Sequence, residues 1–349
     1  QVVLLTTHLD SFAMIFPATL GLLFPWLPAA GVLPSGSLVP RRVVSGEWQE
    51  VMTSLREDGA VIVTNHVVMD GTENFRNATL QLPHELFDGQ LGRPSLWSPD
   101  APASAVHEEL EEAKRRGKYL PGSGLLPHTD GYVYGDHLPD FVSLLCESPS
   151  SEGGGNTLID GQTFLASLDP ALVHWLETTS VDLSEGDAGI TVGRAAEGPV
   201  IQRFGKRLKW RRQINVEKAK LTDSWRPLDL DPATKPSTVS RYLSLWKPLP
   251  NASVEEASEI RKKLEILDRH LQEATKIAEE TALFYLEAGE ALILDNWRLL
   301  HARKPYKGTR KMWRIWSWTS DGSGLPADGA KTSQPLNDAV FGAEKTIEL

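Results

Sequence analysis

The stretch Leu126-Pro127-His128-Thr129-Asp130-Gly131 sets an imidazole and a carboxylate two residues apart. Side chains alternate along a strand, so on extended backbone His128 and Asp130 project to one face. Such a pair is half of a metal site, although an isolated His-x-Asp triplet is more often a solvated turn. Far downstream, Gly289 to Asn296 reads as a short buried strand running into Trp297-Arg298-Leu299-Leu300-His301-Ala302-Arg303. His301 falls just after that strand and offers a further ligand. Two histidines and one carboxylate form the facial triad of non-haem Fe(II) oxygenases, which leaves coordination positions open for reactants. The same ligands with a water would also serve a zinc-dependent hydrolase. A non-catalytic metal-binding jelly-roll protein is a third possibility.

The last expected strand, Arg310 to Thr319, adds charge. With a period of two, Arg310, Met312, Arg314, Trp316 and Trp318 share one face, and Lys311, Trp313, Ile315 and Ser317 share the other. If the first face looks inward, two arginines need anions, because a buried unpaired charge is costly. Arginine grips carboxylates through its planar fork. Neighbouring Asp or Glu side chains are the plainer partners. Tyr132, Tyr134 and Trp297 lie near the ligands in sequence and could wall a substrate pocket or offer aromatic faces to an amine.

The elements that must position these groups are many short strands with a few helices. Trp48 to Arg56 reads as a helix, and Gly59 to Asn65 as a strand bounded by Gly and Asn. A charged helix is expected over Ala105 to Arg116, then a Gly- and Pro-rich approach over 118–124 forming a mobile wall. Phe141 to Cys146 and Asn156 to Asp160 are strands, and Asp169-Pro170 starts a helix as N-cap and N1. Pro199 to Arg203 and Lys206 to Arg212 are further strands. Ser253-Val254-Glu255-Glu256 is a capping box. Behind it Ala257, Ile260, Leu264, Leu267, Leu271, Ala274 and Ala278 form one apolar stripe. Neither an alternating βα pattern nor a glycine fingerprint for phosphate is present. The expected architecture is mainly β with flanking helices, a sandwich or jelly roll.

The chain has 349 residues, with 36 basic against 46 acidic, a net charge of -10. That balance argues for a soluble protein without a nucleic-acid groove. Cys146 is the only cysteine, which rules out an intrachain disulfide and suits a reducing, cytoplasmic setting. Ser11 to Pro40 carries no charge, but Pro17, Pro25 and Pro28 interrupt its apolar run and argue against a membrane span. Residues 1–40 are therefore expected to be an apolar arm packed on its own domain or on a second subunit of a homo-oligomer. Residues 41–349 are expected to be a single domain.

Three stretches together resemble the Fe(II)- and 2-oxoglutarate-dependent dioxygenases of the taurine dioxygenase (TauD/TfdA) and γ-butyrobetaine hydroxylase superfamily. They are His128-Thr129-Asp130, then Gly154-Gly155-Asn156-Thr157-Leu158-Ile159-Asp160-Gly161, and then Asp295 to Arg303 followed by Arg310 and Arg314. The resemblance implies a double-stranded β-helix with iron on His128, Asp130 and His301. It implies that Thr157 and Arg310 hold the distal carboxylate of 2-oxoglutarate, and that Arg314 meets the C1 carboxylate or the substrate. The implied reaction consumes O2 and 2-oxoglutarate and yields succinate, carbon dioxide and an oxidised product. Halogenating relatives lack the carboxylate ligand, so Asp130 points to hydroxylation, desaturation or ring closure. The expected substrate is a small carboxylate-bearing molecule, an amino acid or a betaine-like amine.

Overall fold

The computed structural model describes residues 36–66, 78, 81, 90–91, 95–97, 124–130, 138–182, 197–205, 207–211, 214–216, 242–244 and 248–319. The expected helix at 105–116, Tyr132, Tyr134 and nearly all of the expected arm lie outside them. In chain order the first strands are β1 (Ser37–Leu38), β2 (Arg41–Val44), β3 (Ala60–Thr64), β4 (Gln90–Leu91), β5 (Ser95–Trp97), β6 (Leu125–His128) and β7 (Phe141–Ser148). Next come β8 (Glu152–Gly153), β9 (Asn156–Asp160), β10 (Ser180–Asp182), β11 (Glu197–Pro199), β12 (Ile201–Phe204), β13 (Arg207–Trp210), β14 (Ile214–Val216) and β15 (Tyr242–Ser244). The last are β16 (Ala291–Asp295), β17 (Leu299–Arg303), β18 (Tyr306–Lys307) and β19 (Lys311–Trp318). The helices are α1 (Trp48–Asp58), α2 (Gly161–Ala166), α3 (Pro170–Thr178) and α4 (Val254–Thr281).

Two sheets carry the architecture. The larger runs β2-β3-β16-β7-β19-β4, with β5 also paired to β19, and the smaller runs β1-β9-β17-β6. β3, β9 and β16 are buried at nearly every position, as strands of sheets covered on both faces are. Ala60 and Ile62 of β3, Leu292 and Leu294 of β16, and Met312 of β19 meet Leu38, Leu158 and Leu299 of the small sheet in one cluster. The alternate residues Val61, Val63, Ile293 and Trp313 pack with Val51 and Leu55 of α1 on the outer face of the large sheet. On the outer face of the small sheet, Ile159 and Leu300 pack under α4 with Phe164, Leu172 and Leu176 of α2 and α3. The layers are therefore α1, large sheet, small sheet and α4. The burial of Met312 and Trp316 against the inter-sheet cluster shows that the arginine-bearing face of β19 is the inward one.

Helix boundaries follow local chemistry. Ser253 and Glu256 form a reciprocal capping box at α4, and every residue of its expected apolar stripe is buried. Asp169 accepts hydrogen bonds from Ala171 and Leu172 with Pro170 at N1 of α3. Gly59 ends α1 in the left-handed region at φ 77° and turns the chain into β3.

Two boundaries differ from the sequence expectation. His301 is not after a strand but inside β17, because the turn at Asp295 restarts the extended chain as a second strand. That turn is held by Asp295 Oδ1, which accepts from the backbone N–H of Trp297 at 2.9 Å and of Arg298 at 3.1 Å. The last residues of the expected arm are also not an arm: Ser37 and Leu38 pair with Ile159 and Leu158, and Leu38 is fully buried between the sheets. Among the described residues, no helix is long and apolar enough to cross a membrane.

Candidate metal centre

β17 is paired on one side with β9 and on the other with β6, and His301 stands directly opposite His128. The ladder itself therefore brings together two histidines 173 positions apart in the chain. Their rings lie 4.2 Å apart between centroids. Asp130 follows β6 by two residues and is buried. Its Oδ1 lies 3.5 Å from His128 Nε2 and 3.6 Å from His301 Nε2. One donor atom from each of the three residues falls within 4.8 Å of the others.

Neighbouring groups hold these side chains in ligating form. His128 Nδ1 lies 2.8 Å from the Leu126 carbonyl, which can only accept, so Nδ1 is a donor and Nε2 is the nitrogen turned towards Asp130. Burial, and then the nearby His128, lower the His301 pKa, which keeps its imidazole neutral. Burial pushes the Asp130 carboxyl up, but the Arg314 charge and the hydrogen bonds with His128 and His301 outweigh it and hold the group well below its usual range. Arg314 Nη1 donates to Asp130 Oδ2 at 2.9 Å, and Trp316 Nε1 donates to the same oxygen at 3.0 Å. Asn296 clamps the backbone of Asp130 from both sides. It accepts from the Asp130 N–H at 2.8 Å and donates to its carbonyl at 3.0 Å.

This donor set fits a small divalent metal. Bonds near 2.1 Å at right angles put neighbouring donors about 3 Å apart. The oxygen–nitrogen separations here exceed that by about half an ångström, which small side-chain rotations close.

The other expected site residues distribute unevenly. Arg310 precedes β19, and its guanidinium lies 5.9 Å from the Tyr306 ring. Arg303, on the same face of β17 as His301, lies 4.5 Å from that ring, so the two arginines gather at Tyr306. Thr157 does not join them. It pairs with Ala302 while Leu158 pairs with His301, so Thr157 lies on the opposite face of the small sheet from the histidine. The expected shared grip of Thr157 and Arg310 on one carboxylate is corrected by this strand parity. Trp297 is corrected as a pocket wall for a different reason: it is fully buried. Arg207 and Lys209 lie over its ring at 4.3 and 4.8 Å, Phe204 meets it edge-on, and its indole donates to the Leu138 carbonyl.

Sequence reasoning gave no role to Asn296, Arg303 or Trp316. Trp316 carried a signal, since it lies on the inward face of β19 with Arg314. Arg303 had the matching signal, two residues from His301 on β17.

A β sandwich that presents a His-Asp-His set beside an inward-facing arginine can hold a divalent metal next to an anion. The chain matches the model of the family described as taurine catabolism dioxygenase TauD, TfdA family, over residues 39–316. It belongs to that family of Fe(II)- and 2-oxoglutarate-dependent dioxygenases. A comparison with curated proteins gives no significant match. Among solved structures, the chain is similar to PvcB, an Fe, alpha-ketoglutarate dependent oxygenase from an isonitrile synthetic pathway. Identity is 15%, coverage is 79% of this chain and 82% of that one, and the TM-score is 0.45. It is also similar to an asparagine oxygenase in complex with Fe(II), 2S,3S-3-hydroxyasparagine and succinate, with 15% identity, 78% and 83% coverage and a TM-score of 0.45. A third is AAD-2 in complex with Mn(II) and N-oxalylglycine, with 15% identity, 80% and 89% coverage and a TM-score of 0.44. At TM-scores below 0.5 these likenesses carry no part of the assignment, which rests on the family match.

Proposed function

We propose that this dioxygenase holds Fe(II) through His128 Nε2, Asp130 Oδ1 and His301 Nε2, and oxidises a small carboxylate-bearing substrate. The observation that carries the reading is the convergence of those three atoms on the inner face of the sandwich, next to Arg314. Bound iron with 2-oxoglutarate and O2 supplies the oxidising chemistry, with succinate and carbon dioxide as by-products. The protein's own part is to bind, orient and shield. Arg310, with Arg303 beside it, holds the distal carboxylate of 2-oxoglutarate at the Tyr306 end. Arg314 stands at the metal end, where it meets the C1 carboxylate or a substrate carboxylate. A guanidinium carries five N–H donors, so its contact with Asp130 leaves room for a second anion. Family membership disfavours the zinc hydrolase and the non-catalytic reading.

The two facing sheets are read as the halves of a double-stranded β-helix in one catalytic domain over residues 41–349, with β1 added to it. For the arm expected over residues 1–40, packing on an apolar patch or a second subunit stays a proposal, with residues 1–35 outside the described residues. The single cysteine supports a cytoplasmic location. An amino acid or betaine-like amine fits an arginine-rich space and a carboxylate-ligated iron suited to hydroxylation, desaturation or ring closure. The test is a panel of amino acids, betaines and uncharged isosteres, scored by substrate-dependent succinate release. Stimulation by a carboxylate-bearing amine, and none by its amide, is the expected result. Turnover of a substrate without a carboxylate would overturn this part of the reading.

A further inference from the structure

The two oxygens of Asp130 face different partners. Oδ1 looks towards the two imidazole nitrogens, at 3.5 and 3.6 Å. Oδ2 accepts from Arg314 Nη1 at 2.9 Å and from Trp316 Nε1 at 3.0 Å. A carboxylate oxygen offers about two lone-pair directions, and on Oδ2 both are taken. The two donors stand two residues apart on β19, which pairs with β7 in the interior of the large sheet. They also brace one another, since the Arg314 guanidinium lies 4.4 Å over the Trp316 ring. The backbone of Asp130 is held separately by Asn296. Asp130 is therefore held at its carboxylate from β19 and at its backbone from the turn between β16 and β17.

We propose that Arg314 and Trp316 are positioning residues that reserve Oδ2 and make Asp130 a ligand through Oδ1 alone. This rests on the reading of the triad as a metal site. The consequence concerns coordination number. A carboxylate that rotated to bind by both oxygens would occupy two positions of an octahedral metal, and two imidazoles would take two more. Bound through one oxygen it occupies one, which leaves three positions for the reactants. Trp316 packs against the inter-sheet core as a hydrophobic ring would, but a phenyl ring lacks the N–H that reaches Oδ2. That difference separates positioning from packing.

The test uses the full-length, metal-stripped protein titrated with Co(II), whose visible absorption reports coordination number. His301→Ala is the control for the metal site: if it binds Co(II) as the parent does, the metal-site reading itself has failed. With that control lost, Trp316→Phe decides the inference. It should keep the fold, bind Co(II) about 10- to 100-fold more weakly, the usual consequence of losing an outer partner of a ligand, and show an altered absorption band. An unchanged affinity or an unchanged band overturns the proposal. Should Trp316→Phe fail to fold, Arg314→Gln carries the same two measurements with the same expected and overturning results.

Discussion

The three arginines Arg303, Arg310 and Arg314 differ in what they touch. Arg314 is tied to a ligand of the triad, whereas Arg310 and Arg303 gather around Tyr306. Removing a charged partner from a buried anion typically costs about 2–5 kcal/mol, at least tenfold in affinity. Arg310→Ala should therefore raise the 2-oxoglutarate requirement at least tenfold and the substrate requirement far less. Thr157→Val, on the other face of the small sheet, should leave the 2-oxoglutarate requirement unchanged. Steady-state kinetics with each reactant varied in turn will check both, and an unaltered 2-oxoglutarate requirement in Arg310→Ala would move its role to Arg303 or Arg314. A His-x-Asp triplet alone is more often a turn, so the candidate triad was legible only once His301, far downstream, and the arginines after it were read together with His128 and Asp130. The side of the sheet on which Thr157 lies was not legible. It depends on the register between β9 and β17, and nothing local in Asn156 to Asp160 encodes that pairing.

At the scale of elements, α4 and β19 were the most readable parts of the chain. The stripe from Ala257 to Ala278 repeats with the helical period, and the structure buries all of it on the small sheet. Leu267, near the middle, is fully buried. Leu267→Ala should destabilise the protein by about 2–5 kcal/mol through lost burial and a residual cavity. It should leave metal affinity in the folded state unchanged, because α4 packs on the outer face and the triad lies on the inner one. Urea denaturation and a metal titration of the same variant measure the two effects. The strand carrying His301 was harder to read. β17 is short and buried on both faces, so it lacks the polar alternation that marks a strand, and the turn before it is set by a single Asp295 side chain. A Cβ on Gly161 would collide with the Trp210 indole and the Arg298 carbonyl, a close approach likewise invisible in the local sequence.

At the scale of the molecule, the boundary of the expected arm moves. Ser37 and Leu38 are a strand of the small sheet, and Leu38 fills the inter-sheet core beside Leu158. Deleting residues 1–34 should leave the fold and metal affinity intact. Extending the deletion through Pro40 removes a sheet edge and a buried leucine, and should lower the thermal midpoint measurably. Equal midpoints for the two truncations would show that β1 contributes nothing to stability. An apolar stretch read without its pairing partners gives no hint of where packing begins, which is why that boundary fell a few residues late.

We propose that the sandwich, whose ladder sets His128 opposite His301 beside Asp130, holds iron there and oxidises with 2-oxoglutarate. The most direct measurement strips the purified protein with chelator, reloads it with Fe(II) or Zn(II), and follows succinate release from 2-oxoglutarate under air. The account predicts succinate with Fe(II), none with Zn(II), and none from His128→Ala or His301→Ala reloaded with Fe(II). Succinate release with zinc alone, or undiminished release from either histidine variant, would contradict it.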